Sequence, residues 1–333
     1  MKTYIHEIRE NDHVDSSFLV KEKSSGVTRN GNPYLKLKLT DRSGEIEARI
    51  WTSVEAFEGS FERDDFVLVK GKAVSFQDRL QINVTHIEKL KEEEIALSDF
   101  FPMTEKNIEE MLQSLIEIGQ QVRNEHLSQL LRLFWEDTAF VEKFRIAPAS
   151  TWLHHTCLGG LLEHTLSLTQ LVLNNASHYP GLNIDLLITG SILHDLGKVD
   201  ELSYRRSFGY SDEGRLLGHI VLGIERVEAK IRQLPDFPKD LSMLLKHLLI
   251  SHHGQYSWGS PKRPMTLEAV MLHYLDDMDA KINGIKQFLR AEVQPGSKWT
   301  HYHRAFEQFF YAAEPWDQTE PPENIVKNIL EEE

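Results

Sequence analysis

Five segments of the sequence carry histidine or aspartate side chains in apolar surroundings at positions that fit helical spacing. Twelve of the sixteen histidines lie between His154 and His303, which is uneven for ordinary surface residues. Imidazole and carboxylate groups together suit Mn, Fe, Co, Ni or Zn, and a charged carboxylate in an apolar setting is costly without a partner. The residues at the centres of these segments are His164, His194-Asp195, His219, His252-His253 and Asp276.

The adjacent pair His194-Asp195 is the most informative of these segments. Neighbouring residues on a helix point about 100° apart, so the two side chains can hold one metal ion from two directions. The second oxygen of the Asp195 carboxylate can then reach another ion. Two metal ions about 3.5–4 Å apart activate water and stabilise charge during in-line displacement at phosphorus. The pair therefore predicts a phosphohydrolase in which Asp195 is catalytic.

Lys198 follows His194 by four residues and shares its helical face if the helix runs that far. An ammonium group there would hold a phosphate oxygen or assist the leaving group, so Lys198 is a catalytic and a substrate-binding candidate. The alternative is a solvated lysine at a helix end, where cations are favoured in any case. Two further candidate substrate contacts are His155 and Arg263.

The elements that position these side chains change character along the chain. Residues 11–90 predict five short strands, because residues 34–39 and 45–51 alternate between apolar and polar positions and are flanked by turn signals. A short helix is predicted at residues 53–62, between the third and fourth strands. This order is typical of a small closed barrel of the OB type. The predicted strands are residues 18–23, 34–39, 45–51, 66–71 and 80–84.

From about residue 95 the periodicity becomes helical. Residues 107–144 predict a helical connector, and residues 152–310 predict further helices with interruptions at proline and glycine. The chain is therefore predicted to be a multidomain α and β protein, a small N-terminal β-barrel followed by an all-α domain. The predicted domains are the barrel at 1–92, the helical connector at 93–148, the phosphohydrolase domain at 149–312 and an acidic C-terminal tail at 313–333.

The predicted barrel is a candidate nucleic-acid surface. OB barrels bind single strands through aromatic stacking and a basic groove. The polar sides of the second and third strands offer three substrate-contact candidates, Tyr34, Lys36 and Trp51. The alternative is that the two rings close the barrel and that the lysine is only solvated.

The composition limits which cellular compartment and which kinds of binding partner can be predicted. No run of 18 apolar residues is present, so no membrane partner is expected. The N-terminal residues lack the apolar stretch of a signal peptide, and the single cysteine, Cys157, excludes an internal disulfide, so a cytoplasmic protein is predicted. The net charge of −14 disfavours nucleic acid at first, but residues 1–90 carry 14 basic and 15 acidic side chains and are nearly neutral.

The ligand candidates together resemble the H…HD…D signature of the HD-domain phosphohydrolase superfamily. The resemblance implies two ligand sets that share Asp195, as in the members with a second metal. The first set is His164, His194, Asp195 and Asp276, and the second is Asp195, His219, His252 and His253. The implied cofactors are two divalent transition-metal ions, Mn²⁺ first, with Fe, Co, Ni or Zn as alternatives.

An OB-like barrel in front of an HD domain resembles one family more closely, the YhaM-type 3′-to-5′ exoribonucleases of bacteria. The resemblance covers about residues 10–310 and rests on Pro33-Tyr34-Leu35, Ile50-Trp51, His154-His155, residues 159–165, residues 276–281 and Trp299-Thr300. It implies hydrolysis of single-stranded RNA, with single-stranded DNA as a further substrate, to nucleoside monophosphates by two-metal-activated water. Assembly into a homo-oligomer is left open.

Two other functions remain open at this point. An HD-type nucleotide or cyclic-dinucleotide phosphodiesterase would use the same ligands, although residues 254–264 lack the Gly-Tyr-Pro element of the cyclic-dinucleotide enzymes. A nucleic-acid-binding protein with a vestigial HD site would be expected to lack some ligands, but the set is complete. At the position four before His164, where some members carry an acid, the sequence has Gly160.

Overall fold

The computed structural model describes residues 2–77, 79–91, 95–150, 157–203, 209–293 and 296–312. The chain divides into two compact units, Met1–Asp279 and Ala280–Glu333. The candidate contact His155 and the predicted acidic tail at 313–333 lie outside the described residues.

Five strands near the N-terminus close into a barrel. They are β1 (His13–Val27), β2 (Pro33–Asp41), β3 (Gly44–Ile50), β4 (Phe66–Phe76) and β5 (Arg79–Lys89), with a short helix, α1 (Val54–Glu58), between β3 and β4. The strand order is β1-β2-β3-β5-β4, and the barrel closes through β1 and β4. The pair β3 and β5 is parallel and the other pairs are antiparallel. The predicted OB-type barrel is confirmed.

The alternating pattern of β2 places one side of the strand in the barrel core, where Leu35, Leu37 and Leu39 are fully buried. The first strand is longer than predicted. It begins at His13 because its N-terminal part pairs with β4, whereas its C-terminal part pairs with β2. Ser16 lies on the buried side of this strand, in line with Val14 and Phe18. A polar residue at a core position breaks the apolar alternation, so the sequence pattern does not reveal the early start.

In the described residues 95–150, three α-helices follow the barrel, α2 (Ile108–Gly119), α3 (Glu125–Trp135) and α4 (Thr138–Phe144). Each begins after a side chain that accepts hydrogen bonds from backbone N–H groups of the first turn, which would otherwise lack partners; these capping residues are Asn107, Asn124 and Asp137. The apolar faces of the three helices share one core with the later helices. The predicted connector is therefore helical, and the domain boundaries at residues 92, 148 and 312 remain predictions.

In the described residues after 157, six further helices follow, α5 (Gly160–Ala176), α6 (Ile184–Leu193), α7 (Lys198–Glu201), α8 (Asp212–Ile231), α9 (Lys239–Ser251) and α10 (Leu267–Glu292). Residues 186–193 of α6 are buried on all sides, as expected for a helix that is apolar all round. Two short paired strands, β6 (Leu202–Ser203) and β7 (Gly209–Tyr210), lie between α7 and α8 and were not predicted. None of the helices in the described ranges is long and apolar enough to cross a membrane.

The second unit differs from its prediction. In its described residues, 280–293 and 296–312, the helix ends at Glu292, and isolated β-bridges join Val293 to Thr300 and Trp299 to Tyr311. The prediction of helical structure up to about residue 310 is therefore wrong beyond Glu292. The aromatic residues there recur at intervals of three and four, but their rings pack on one another in a bridged loop, with the centroids of Phe306 and Phe310 5.5 Å apart.

Candidate metal centre

The predicted metal ligands converge within the first unit. They come from separate helices, near the start of α5, directly after α6, inside α8, directly after α9 and within α10. Among the described residues there are two groups of possible metal ligands, and within each group the ligand atoms lie within 4.8 Å of one another. One is His164, His194 and Asp195, and the other is His219, His252 and His253.

The Asp195 carboxylate lies between the two groups. Its Oδ2 is 3.2 Å from His194 Nε2 and 3.8 Å from His164 Nε2. Its Oδ1 is 3.5 Å from His219 Nε2 and 3.6 Å from His252 Nε2. The two oxygens of one carboxylate therefore face different groups, which is the geometry that a bridging ligand requires.

Asp276 adds a second carboxylate to the first group. Its Oδ1 is 3.1 Å from His164 Nε2 and 3.7 Å from His194 Nε2. His253 lies at the more accessible side of the second group, where its ring centroid is 5.1 Å from that of His219. The structure thus brings all seven ligand candidates into one cluster.

The chemistry of this cluster fits a divalent cation. Within the described part of the chain, three buried atoms that face one another have no hydrogen-bond partner, namely Asp195 Oδ1, His219 Nε2 and His252 Nε2. Buried polar atoms of this kind are rare and costly, because they lose water without a replacement. A cation ligated by these atoms would remove that cost. Imidazole and carboxylate donors suit divalent transition metals.

Two of the histidines are oriented by the ends of the helices that precede them. His194 Nδ1 is 2.8 Å from the carbonyl oxygen of Ser191, and His252 Nδ1 is 2.6 Å from that of Leu249. The last carbonyl groups of a helix lack partners within the helix, so they can accept from a ring that follows. Each contact occupies Nδ1 and leaves Nε2 directed at the cluster.

Carboxylates orient two other histidines. His164 Nδ1 is 2.8 Å from Asp279 Oδ2, and His219 Nδ1 is 3.0 Å from Glu201 Oε1. Ser167 donates to the other Asp279 oxygen at 2.5 Å. A carboxylate behind a ligating histidine fixes the ring and increases its basicity. The sequence pattern does not reveal Glu201, because Glu201 and His219 belong to different helices, α7 and α8, and meet only when these helices pack together.

Charges within the cluster shift the pKa values of its members. Burial alone raises the pKa of the Asp195 carboxyl, but Lys198 and His194 outweigh burial and hold this pKa well below its usual range. Burial lowers the pKa of His164, yet hydrogen bonds to Asp276 and Asp279 prevail and raise this pKa to about 10. The buried carboxylates therefore attract positive charge. A bound cation would replace the His164 proton, because a ligating imidazole nitrogen must be deprotonated.

Lys198 contacts the cluster by a different route from the predicted one. The helix α6 ends at Leu193, and Lys198 is the first residue of α7. Lys198 therefore does not share a helical face with His194. Its Nζ nevertheless donates to Asp195 Oδ2 at 2.6 Å, and only 13% of its side chain is exposed. The alternative of a solvated lysine is therefore wrong. Burial lowers the pKa of Lys198, but the Asp195 carboxylate raises it above the usual value.

The outer face of β2 and β3 carries the predicted barrel contacts. The rings of Tyr34 and Trp51 pack with centroids 5.0 Å apart, and 44% of Trp51 is exposed. Trp51 Nε1 donates to Asn83 Oδ1 at 3.1 Å, and the Arg49 guanidinium lies 5.4 Å from the Tyr34 ring. The two rings therefore form a fixed aromatic pair on the surface and do not close the barrel core.

The basic residues on this face are paired with acids of the neighbouring strand. Lys36 lies 3.5 Å from Glu47 and Lys38 lies 2.7 Å from Glu45, at diagonal cross-strand positions of β2 and β3. The face thus combines an exposed aromatic pair with a largely balanced charge. Arg263 lies elsewhere, in the segment after His253, where it is exposed and 5.4 Å from the Tyr256 ring.

Comparison with known families agrees with both parts of the structure. A family profile described as an OB-fold nucleic acid binding domain matches residues 19–90, and one described as an HD domain matches residues 161–281. The HD match implies that the protein depends on a divalent metal, in agreement with the histidine and aspartate cluster.

Curated relatives extend the similarity over most of the chain. The 3′-5′ exoribonuclease YhaM of Bacillus subtilis (strain 168) is 36% identical over 293 residues, which are 88% of this chain and 91% of the relative. The protein of the same name from Geobacillus sp. (strain WCH70) is 34% identical over 301 residues, which are 90% of this chain and 92% of the relative. At this identity and coverage, the chain belongs to the YhaM family of 3′-5′ exoribonucleases.

Proposed function

We propose that the protein is a divalent-metal-dependent 3′-to-5′ exoribonuclease that hydrolyses single-stranded RNA, and single-stranded DNA as a further substrate, to nucleoside monophosphates. The observation that carries the chemistry is the position of Asp195, whose two oxygens face two separate histidine groups. The names of the curated relatives supply the substrate and the direction of cleavage. The OB-fold match supports binding of a single strand.

We assign two divalent transition-metal ions to the cluster, with Mn²⁺ first and Fe, Co, Ni or Zn as alternatives. The first would be held by His164, His194, Asp195 and Asp276, and the second by Asp195, His219, His252 and His253. When bound, a pair of such ions supplies activated water and neutralises charge in a displacement at phosphorus.

The protein side chains contribute orientation and a fixed positive charge. Asp195 links the two ligand groups, because each of its carboxylate oxygens faces one group. Lys198 places a buried ammonium group 2.6 Å from Asp195 Oδ2. A cation with little exposure to water interacts strongly with charge that develops on an oxygen, so Lys198 is suited to a phosphate oxygen or to the leaving group.

The barrel is the module that would hold the incoming strand. The aromatic pair of Tyr34 and Trp51 offers stacking surfaces, and Lys36 lies beside them. His155 and Arg263 are further proposed substrate contacts. The single cysteine of the sequence supports a reducing compartment, for which we propose the cytoplasm, and self-association into a homo-oligomer is a further proposal.

One set of substrates tests this function. Purified protein with Mn²⁺ would receive a labelled RNA with a free 3′ end, the same RNA with a blocked 3′ end, a cyclic dinucleotide and deoxynucleoside triphosphates. We expect stepwise shortening of the free RNA only. Turnover of the small molecules alone would instead identify a nucleotide phosphodiesterase, and binding of RNA without turnover would identify a binding protein.

The Asp195→Ala variant tests the division of labour between the two modules. We expect it to lose turnover while it still binds RNA through the barrel. Asp212→Ala, which removes an exposed acid at the start of α8, is the matched control and should keep both properties. If Asp195→Ala lost RNA binding as well, the barrel would not be an independent binding module.

A further inference from the structure

We propose that the segment after His253 is a stacking site for the 3′-terminal nucleobase, in which Tyr256 and Trp258 hold the base beside the metal centre. This inference rests on the proposed exonuclease function and adds to it a place where the enzyme contacts the base. The sequence of residues 254–264 is GQYSWGSPKRP.

The segment is attached to the metal centre by its backbone. His253 Nδ1 lies 2.9 Å from the carbonyl oxygen of Trp258, so a candidate ligand and the segment are fixed to each other. Ser260 donates to the carbonyl oxygen of Ile250 at 3.0 Å, which attaches the far side of the segment to the end of α9. A residue of this segment is therefore held at a defined distance from the ligand cluster.

His273 links the Trp258 ring to the ligand cluster. The Trp258 ring centroid is 6.1 Å from that of His273, and His273 Nδ1 is 2.8 Å from the carbonyl oxygen of His252. Gly254 makes this packing feasible. A Cβ there would lie 2.2 Å from the His273 ring, and the residue has a φ of 75°, which side chains disfavour. The close approach of the segment to the centre thus depends on a glycine.

Two aromatic side chains of this attached segment are about half exposed. Tyr256 is 58% exposed and Trp258 is 51% exposed. A single exposed aromatic residue is ordinary, but two within three residues, next to a candidate metal ligand, form a surface on which bases can stack. Stacking of a base on an aromatic side chain tolerates any base, as an exonuclease that removes successive nucleotides requires.

The charge of the segment matches a phosphate backbone. Residues 254–264 include Lys262 and Arg263 and no acidic residue, in a chain whose net charge is −14. The Arg263 guanidinium lies 5.4 Å from the Tyr256 ring, a cation–π contact that places a positive charge beside the proposed stacking surface. Among the residues that the structure describes, neither Lys262 nor Arg263 forms an ion pair. Both cations are available to an anionic ligand.

An RNA whose last residue is abasic isolates the contribution of the terminal base. The Mn²⁺-loaded full chain would be assayed on this RNA and on the same RNA with an intact 3′ base. We expect the unmodified enzyme to prefer the intact end by about 10- to 100-fold in kcat/KM, through KM. In Tyr256→Ala and Trp258→Ala this preference should shrink toward unity, because the variant and the abasic end remove the same contact.

Tyr179→Ala is the matched control, since Tyr179 is 57% exposed and lies in the connection between α5 and α6. It should keep the full preference, and Tyr256→Phe and Trp258→Phe should keep most of it. Alanine variants that bind Mn²⁺ normally and still prefer the intact end would overturn the stacking site alone. An unmodified enzyme that shortens no RNA would overturn the exonuclease function itself, so the two failures are distinguishable.

Discussion

The main chain of Gly197 lies directly against the main chain of His219. A Cβ at Gly197 would come within 2.0 Å of the His219 carbonyl oxygen and 2.6 Å from the Gly223 nitrogen, distances that real side chains do not adopt. The φ of Gly197 is −67°, so its conformation suits any residue and only the lack of space requires glycine. The glycine that follows the His194-Asp195 pair by two residues therefore lets α7 pack against α8 and brings His219 to Asp195.

Gly197→Ala should push α8 away from Asp195 and weaken the second ligand group. We expect the free energy of unfolding to fall by about 1–3 kcal/mol, the usual cost of overpacking. We also expect bound Mn²⁺ per chain to drop, measured by elemental analysis after gel filtration alongside chemical denaturation. Gly223→Ala is the control on the other side of the contact, because its Cβ would lie at an ordinary 3.5 Å. Equal metal loss in the two variants would show that the Gly197 contact is not what positions His219.

The sequence predicts the groups that do chemistry better than the contacts that orient them. His194 and Asp195 could be identified because two adjacent ligands after an apolar helix form a local pattern. Glu201 could not, because its contact with His219 arises only when α7 and α8 pack together. The helical spacing of four residues does not explain why Lys198 contacts Asp195. The chain turns after α6 instead of continuing as a helix, and this turn brings Lys198 to the site. Local patterns thus identify ligands, whereas tertiary packing decides what supports them.

The same distinction explains the errors in the fold. The alternating strands of the barrel were predictable because each has one apolar face, as in β2. The early start of β1 was not, because Ser16 occupies a core position. Beyond Glu292, aromatic residues spaced by three and four imitate a helix while they pack on one another in a bridged loop.

Glu201→Ala should weaken metal binding without changing any ligand. The Glu201 carboxylate accepts from both the backbone N–H and the ring of His219, so its removal frees the ring to rotate. Loss of such a support typically reduces metal affinity by about 10- to 100-fold. Titration of the metal-free protein with Mn²⁺ by calorimetry measures this change directly.

The neighbouring acid is the control for Glu201. Asp200 forms ion pairs with Arg226 of α8 and Lys143 of α4, and neither partner is a candidate ligand. Asp200→Ala should therefore lower thermal stability but keep the Mn²⁺ affinity within about twofold of the unmodified protein. Only the loss of a carboxylate that is hydrogen-bonded to a ligating histidine should produce the larger effect. Unchanged Mn²⁺ affinity in Glu201→Ala would exclude an orienting role for this carboxylate.

Cys157 should react much more slowly in the folded protein than in the unfolded chain. Burial, with a smaller contribution from the nearby Glu163 charge, raises the pKa of its thiol to about 11. Because the thiolate is the reactive form, its fraction at pH 8 should be roughly a hundredfold lower than in the unfolded chain. Reaction with a disulfide reagent at pH 8, in buffer and in guanidinium, measures the ratio at the single cysteine of the sequence. Equal rates in the two conditions would mean that the thiol is not protected.

Trp51→Ala should weaken RNA binding and leave the metal centre intact. Trp51 belongs to a surface pair with Tyr34, so its loss removes a stacking surface without opening the barrel core. A lost stack of about 1–3 kcal/mol corresponds to an increase in Kd of about 5- to 150-fold. The measurement uses fluorescence anisotropy of labelled single-stranded RNA in the Asp195→Ala background, which prevents degradation. Trp299→Ala removes a similarly exposed tryptophan that also pairs with a tyrosine at 5.0 Å, and it should bind RNA normally. If both variants bound RNA as tightly as their parent, the strand would have to be held by surfaces other than this face of the barrel.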